Sequence, residues 1–122
     1  TCAFFRPDGK RVIFASSHDD PDAKRHQIGE FVQREEDKKK GLRRRYAWDF
    51  DPFMKIYEAN PDGSDLKCLT PNAKVYTAEG SYSADGKRIV YSAGTAGNVQ
   101  IFTMNADGTG AKQVTNAPNC YN

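Results

Sequence analysis

Four Asp-Gly pairs, at Asp8-Gly9, Asp62-Gly63, Asp85-Gly86 and Asp107-Gly108, are each flanked by short apolar-alternating runs, and this pattern restricts the chain to antiparallel hairpins. Gly takes positive φ without steric cost and Asp hydrogen-bonds its own backbone two residues on, so each pair suits a tight turn. The pattern is fullest from Ser81 to Thr115. Tyr82 precedes the turn Ala84-Asp85-Gly86-Lys87, and Arg88-Ile89-Val90-Tyr91-Ser92 follows. After a break at Gly94 to Asn98 comes Val99-Gln100-Ile101-Phe102-Thr103-Met104, then Asn105-Ala106-Asp107-Gly108, then Ala111 to Thr115. Ile89, Tyr91, Ile101 and Val114 occupy alternating positions in runs of strand length, the signature of a half-buried four-stranded meander.

The same unit occurs earlier in the chain. Phe5 to Ala15 matches Tyr82 to Ser92 at an offset of 77, and Ile56 to Thr70 matches Ile101 to Thr115 at an offset of 45. The difference of 32 places an insertion between the second and third strands of the first copy. The expected organisation is therefore all-β: a first unit over 1–70 with an insertion at 17–53, a link over 71–80, a second unit over 81–115, and the start of another link at 116–122. Within the first unit, Phe5 is expected to pack inward and Val12-Ile13-Phe14 to form the second strand.

Both copies resemble the TolB-like β-propeller repeat, whose blades carry a Ser-Pro-Asp-Gly-Lys turn, an Ile-Tyr-Val-Met-Asn-Ala-Asp-Gly strand and turn, and a closing Leu-Thr. Here these stand as Arg6-Pro7-Asp8-Gly9-Lys10 and Ser83-Ala84-Asp85-Gly86-Lys87, as Ile56 to Gly63 and Ile101 to Gly108, and as Leu69-Thr70 and Val114-Thr115. The resemblance implies two four-stranded antiparallel propeller blades, and the insertion between the second and third strands of the first departs from the short loop that the repeat normally has. It also implies a periplasmic or secreted bacterial protein that engages another protein through one propeller face. A second implication is a gate in front of a peptidase domain, as in the prolyl oligopeptidase and tricorn types. Propellers host many unrelated activities, so the resemblance speaks to fold first.

In such a blade the Asp-Gly turns share one face, and the insertion, Pro71 to Glu79, Ala93 to Asn98 and Asn116 to Asn122 share the other, where a partner site is expected. Two blades do not close a ring, because each blade covers its faces with two neighbours. Three arrangements follow: copies join head to tail into a closed ring, they continue into an extracellular filament, or the chain is an excerpt of a longer propeller. Thr70 to Tyr82 and the run from Thr115 through the end to a following Phe5 have the same length, and Tyr121 aligns with Tyr76, so whole repeats cut at one phase are expected. A ring of three chains leads these alternatives.

The insertion differs in composition from the repeats. From Ala23 to about Lys40 the apolar residues Ile28, Phe31 and Val32 fall at helical spacing, and Glu35 with Lys39 and Glu36 with Lys40 form favourable i,i+4 pairs. A helix over about 23–40 is expected, with Asp22 near its N-terminus and Gly41 as its stop. The aromatic run Tyr46-Ala47-Trp48-Asp49-Phe50 should anchor the insertion back onto the blades.

The candidate binding residues lie on the insertion side: His18, Asp19, Asp20, Arg43, Arg44, Arg45, Tyr46, Trp48, Tyr76 and Tyr121. His18, Asp19 and Asp20, with Asp22 and His26, match no metal-ligand spacing, and a solvated turn capping the helix accounts for them. The basic patch Lys38 to Lys40 with Arg43 to Arg45, followed by Tyr46 and Trp48, suits phosphates or an anionic glycan, or is simply a solvated face. Asp49 and Asp51 could pair for acid–base chemistry, but an Asp-x-Asp-Pro turn more simply bonds its own backbone. No nucleophile elbow, zincin helix or phosphate loop occurs, so neither catalysis nor a cofactor is expected.

The net charge of +2 gives no reason to expect a nucleic-acid partner, and no apolar run is long enough for membrane insertion. Repeat sequence begins directly after Thr1, as in a processed or excised chain. Cys2 and Cys68 fall on opposite edges of one blade, roughly 14 Å apart by strand spacing and beyond disulfide reach. A bond from Cys2 to Cys120 of another copy and three unpaired thiols are the alternatives.

Overall fold

A computed structural model describes residues 2–45 and 48–118. It consists of two four-stranded antiparallel sheets with one helix between the second and third strands of the first. The first sheet holds β1 (Ala3–Phe5), β2 (Val12–Ser16), β3 (Lys55–Ala59) and β4 (Lys67–Cys68), in that order. The helix α1 (Ala23–Lys39) interrupts it, and β5 (Tyr76–Tyr82), β6 (Arg88–Thr95), β7 (Asn98–Asn105) and β8 (Lys112–Gln113) form the second sheet.

The repeat read from the sequence is repeated in the ladders. Val12 pairs with Ala59 as Ile89 pairs with Met104, and Tyr57 pairs with Cys68 as Phe102 pairs with Gln113. The turns match as well. Asp8 Oδ1 accepts the Lys10 N–H and Asp85 Oδ1 the Lys87 N–H, both at 3.0 Å. Asp62 and Asp107 accept from Ser64 and Thr109 in the same way. In each copy the closing Thr caps the third strand: the Ile56 N–H donates to Thr70 Oγ1 at 3.0 Å and the Ile101 N–H to Thr115 Oγ1 at 2.9 Å.

The sheets stack with β5 lying across β1, β2 and β3. Ile13, Ile56 and Leu69 of the first sheet meet Ile89, Tyr91, Ala93 and Met104 of the second in one buried cluster. Beside it Ala15 packs with Tyr76 and Ala78, flanked by Phe50 and Met54 from the end of the insertion. β5 begins at Tyr76, inside the segment expected as a link over 71–80. Its pairing with β6 shifts register between Ala78 and Ser81, and Glu79 has a φ of +58°. That bulge breaks the alternation by which the strand would have been recognised. It also seats Gly80 where a Cβ would lie 3.1 Å from Ile13 Cδ1 and 3.3 Å from Ile56 Cδ1.

Two residues expected to face inward do not. Phe5 is 65% exposed and Val114 is 60% exposed. Neither is covered by another of the described residues to the extent its apolar character predicts.

The helix ends in a Schellman motif: the Gly41 N–H donates to Lys38 O at 3.1 Å, the Leu42 N–H to Asp37 O at 2.9 Å, and Gly41 has a φ of +68°. Asp22 stands at its N-cap without a capping side-chain bond and instead pairs with Arg25 at 3.0 Å. No residue of the helix is buried and it packs on no strand, so Ile28, Phe31 and Val32 remain in solvent. No helix among the described residues is long and apolar enough to cross a membrane.

Candidate functional site

The insertion leaves β2 at Ser16 and rejoins the sheet at Lys55, its direct ladder partner, so both ends are fixed side by side. The entry is pinned by residues the sequence singles out. The Tyr57 hydroxyl donates to Asp19 Oδ2 at 2.5 Å, and the His18 ring lies on the Tyr57 ring with centroids 4.5 Å apart. His18 Nδ1 is 3.0 Å from the Ser16 hydroxyl. Burial, reinforced by the bond to Asp19, pushes the Tyr57 phenol well above its ordinary value. Asp20 is buried; it accepts the Asp22 N–H at 2.9 Å and lies 3.2 Å from His26 Nδ1. These side chains are engaged in holding the first turn of the insertion. Among the described residues no three His, Cys, Asp or Glu side chains converge as metal ligands do.

The exit is anchored by aromatic contacts. Phe50 meets Tyr76 edge-on at 5.4 Å, the Trp48 indole N–H donates to the Tyr76 hydroxyl, and the Thr77 N–H donates to Met54 O at 3.1 Å. Burial raises the Tyr76 phenol pKa, with the Trp48 bond acting in the opposite direction. Asp51 Oδ1 accepts the Phe53 N–H at 2.8 Å, which places it in a backbone turn rather than in a carboxylate pair. Tyr46 and Tyr121 lie outside the described residues, as does Cys120; Cys2 is exposed, Cys68 half-buried, and both are free thiols.

The three arginines divide. Arg44 folds back onto the helix, reaching Asp37 at 2.5 Å and Glu30 at 2.6 Å, while Arg43 and Arg45 stay exposed. The Gln33 amide and the Arg44 guanidinium hold the Asp37 carboxyl below the usual range, and Arg34 with Arg44 does the same to Glu30. Between the helix and the returning chain lies an open groove of about 1050 Å³. Lys24, Gln27 and Arg34 line its helical wall, Trp48, Asp49 and Phe53 the other. The structure thus brings Trp48 and Tyr76 together, sets His18 and Asp19 on Tyr57, and leaves Arg43 and Arg45 free of the groove's ion pairs.

A second polar centre lies between the sheets and was not singled out by the sequence. Glu58 on β3 is 7% exposed, accepts from the Tyr82 hydroxyl at 2.5 Å, and lies 3.2 Å from Arg11 Nη2 and 3.6 Å from Arg6 Nη1. Arg11 also donates to Asn60 Oδ1 and Asp65 Oδ2, each at 2.7 Å. Burial and the bond to Glu58 push the Tyr82 phenol up. The signal for this centre was a departure within the repeat: Glu58 stands where the other copy has Thr103, and Tyr82 where it has Phe5.

No protein-family model and no curated protein matches the chain.

Proposed function

We propose that the chain is a non-catalytic binding segment of a TolB-like β-propeller, with the two sheets as blades and the insertion as the element that engages a protein partner. The observation carrying this reading is α1. Its 17 residues include no buried side chain, yet Ile28, Phe31 and Val32 form an apolar stripe in solvent. Each of these side chains is a little over half exposed, so covering it would yield on the order of 1 kcal/mol, a gain that an apolar partner surface supplies. Lys38, Arg43 and Arg45 lie near the helix C-terminus, so the matching surface is apolar at its centre and acidic at its rim. The likeness of the repeats to that family supports a setting in the bacterial periplasm or outside the cell. The insertion carboxylates support a binding rather than a catalytic role, since Asp19, Asp20 and Asp51 are committed to Tyr57 and to local backbone.

The test uses the immobilised chain to retrieve partners from a cell-envelope extract, followed by titration of the partner identified by mass spectrometry. The triple substitution Ile28→Ser, Phe31→Ser, Val32→Ser should weaken that binding at least about tenfold while leaving the melting temperature unchanged. Equal affinity of the variant would place recognition elsewhere.

A further inference from the structure

We propose that this chain associates head to tail with a second copy of itself, the outer face of the second sheet receiving the outer face of the partner copy's first sheet. This surface is separate from the insertion and does not depend on its role. The argument rests on the interface already present inside the chain. Because the two sheets are copies of one unit, contacts between them that involve repeat positions have equivalent pairs of positions on the two outer faces, and three of those pairs are complementary.

The clearest case is the β7–β8 turn. In the chain, Gly108 sits so close to the first sheet that a Cβ there would be 2.7 Å from Leu69 O, and Lys67 Nζ donates to Asp107 O at 3.0 Å. The equivalents of Leu69 and Lys67 are Val114 and Lys112; those of Gly108 and Asp107 are Gly63 and Asp62. Leu69 is 3% exposed but Val114 is 60% exposed, and nothing lies within 4 Å of a Cβ built at Gly63. Val114 and Lys112 thus offer the receiving half of the contact, and Asp62-Gly63 of another copy the entering half.

The strand contacts show the same relation with a compensating change of volume. Gly80 meets the Cδ1 atoms of Ile13 and Ile56. The equivalents are Ala3 for Gly80, Val90 for Ile13 and Ile101 for Ile56. Val90 lacks the Cδ1 methyl that comes nearest to a Cβ at Gly80, and Ala3 carries that Cβ. Ile13 is fully buried, whereas Val90 is 42% exposed. Where Tyr82 enters the first sheet beside Glu58, the equivalents are Phe5 and Thr103, the latter accepting from Arg88 Nη2 at 3.0 Å. The apolar Phe5 therefore meets a site with no carboxylate to pair. The two faces differ from each other, so the contact is heterologous and each copy that binds presents a fresh face to the next.

A photo-crosslinking side chain at Val114, with light scattering on the unmodified chain, tests this. The expected results are a particle of at least two 13.6 kDa chains, and a covalent adduct joining position 114 to the peptide carrying Asp62-Gly63 of another copy. Val114→Asp should reduce the particle to one chain while keeping the β-sheet circular dichroism of the parent. A particle of one chain mass at every concentration would overturn the proposal, as would an adduct joining two copies of the 114 region or a Val114→Asp variant that associates like the parent. If Val114→Asp does not fold, the site of the adduct decides.

Discussion

The Tyr82 hydroxyl, from the second sheet, donates to Glu58 Oε1 of the first at 2.5 Å, with Arg11 and Arg6 on the same carboxylate. Tyr82→Phe removes a bond to a charged group but leaves Glu58 paired with arginines, so a loss of about 1–2 kcal/mol in unfolding free energy is expected. Glu58→Ala leaves the part-buried Tyr82 hydroxyl without its acceptor, while Arg6 keeps Asp8 and Arg11 keeps Asp65 and Asn60, and should cost about 1–3 kcal/mol. Denaturant titrations of the two variants and their double mutant check this. If the double loses the sum of the singles, the two residues are not coupled.

Gly108 and Gly63 occupy the same turn in the two copies, with φ of +90° and +84°, but only Gly108 touches the other sheet. Gly63→Ala should cost about 1 kcal/mol through backbone conformation alone. Gly108→Ala must in addition push Leu69 O aside, so a loss larger by about 1–3 kcal/mol is expected. Thermal melts of both variants at one chain concentration compare the two; equal losses would mean that the turn does not bear on the first sheet.

Alkaline pH should weaken the fold. The phenols of Tyr57 and Tyr82 are raised above the ordinary value, mainly by burial and also by carboxylate acceptors. In the unfolded chain tyrosine titrates near about pH 10, so above that point the unfolded state binds fewer protons than the folded state and stability falls as pH rises. Below it the contribution is complete. The denaturation midpoint should hold to about pH 9 and then decline, and Tyr82→Phe should soften the decline. A midpoint that is flat or rises to pH 11 contradicts these environments.

Removal of residues 24–42 in favour of a short Gly-Ser linker should change stability by less than about 1 kcal/mol, since the helix buries nothing and a shorter closure offsets lost local bonds. Deleting His18 to Trp48 should cost more, because it also removes Asp19 from Tyr57 and Trp48 from Tyr76. Melting temperatures of the two deletions check this; a loss of several kcal/mol on removing 24–42 alone would show that α1 itself supports the sheets.

Much of this architecture was legible in the residues themselves. The Asp-Gly turns, the order of the strands within each copy and the helix with its Gly41 stop are legible because turn and cap chemistry acts within a few residues and the second copy repeats the first. What was hidden depends on neighbours distant in sequence. β5 runs through an expected link because its bulge at Glu79 and Gly80 serves the packing on Ile13 rather than any local pattern. Phe5 and Val114 look like core residues and lie exposed, since alternation marks a face as apolar without saying what covers it. His18, Asp19 and Asp20 stand out as polar residues suited to a ligand, yet Tyr57, Ser16 and backbone groups engage them. Arg44 reads as part of a basic patch but is neutralised by Glu30 and Asp37 from a helix face the chain returns to.

The side-by-side anchoring of the insertion at Ser16 and Lys55 also orders events in time. Residues 17–54 must be spanned before β2 and β3 can pair, whereas Thr95 and Asn98 close the β6–β7 hairpin across two residues. Loop-closure entropy makes the longer span about 2–3 kcal/mol more costly to close. The second sheet should therefore assemble early in the transition state, with φ-values near one at Ile89 and Met104 and near zero at Ile56. The first sheet would then condense on β5 as on a template, and the insertion could vary in length during evolution with little effect on whether the sheets find each other.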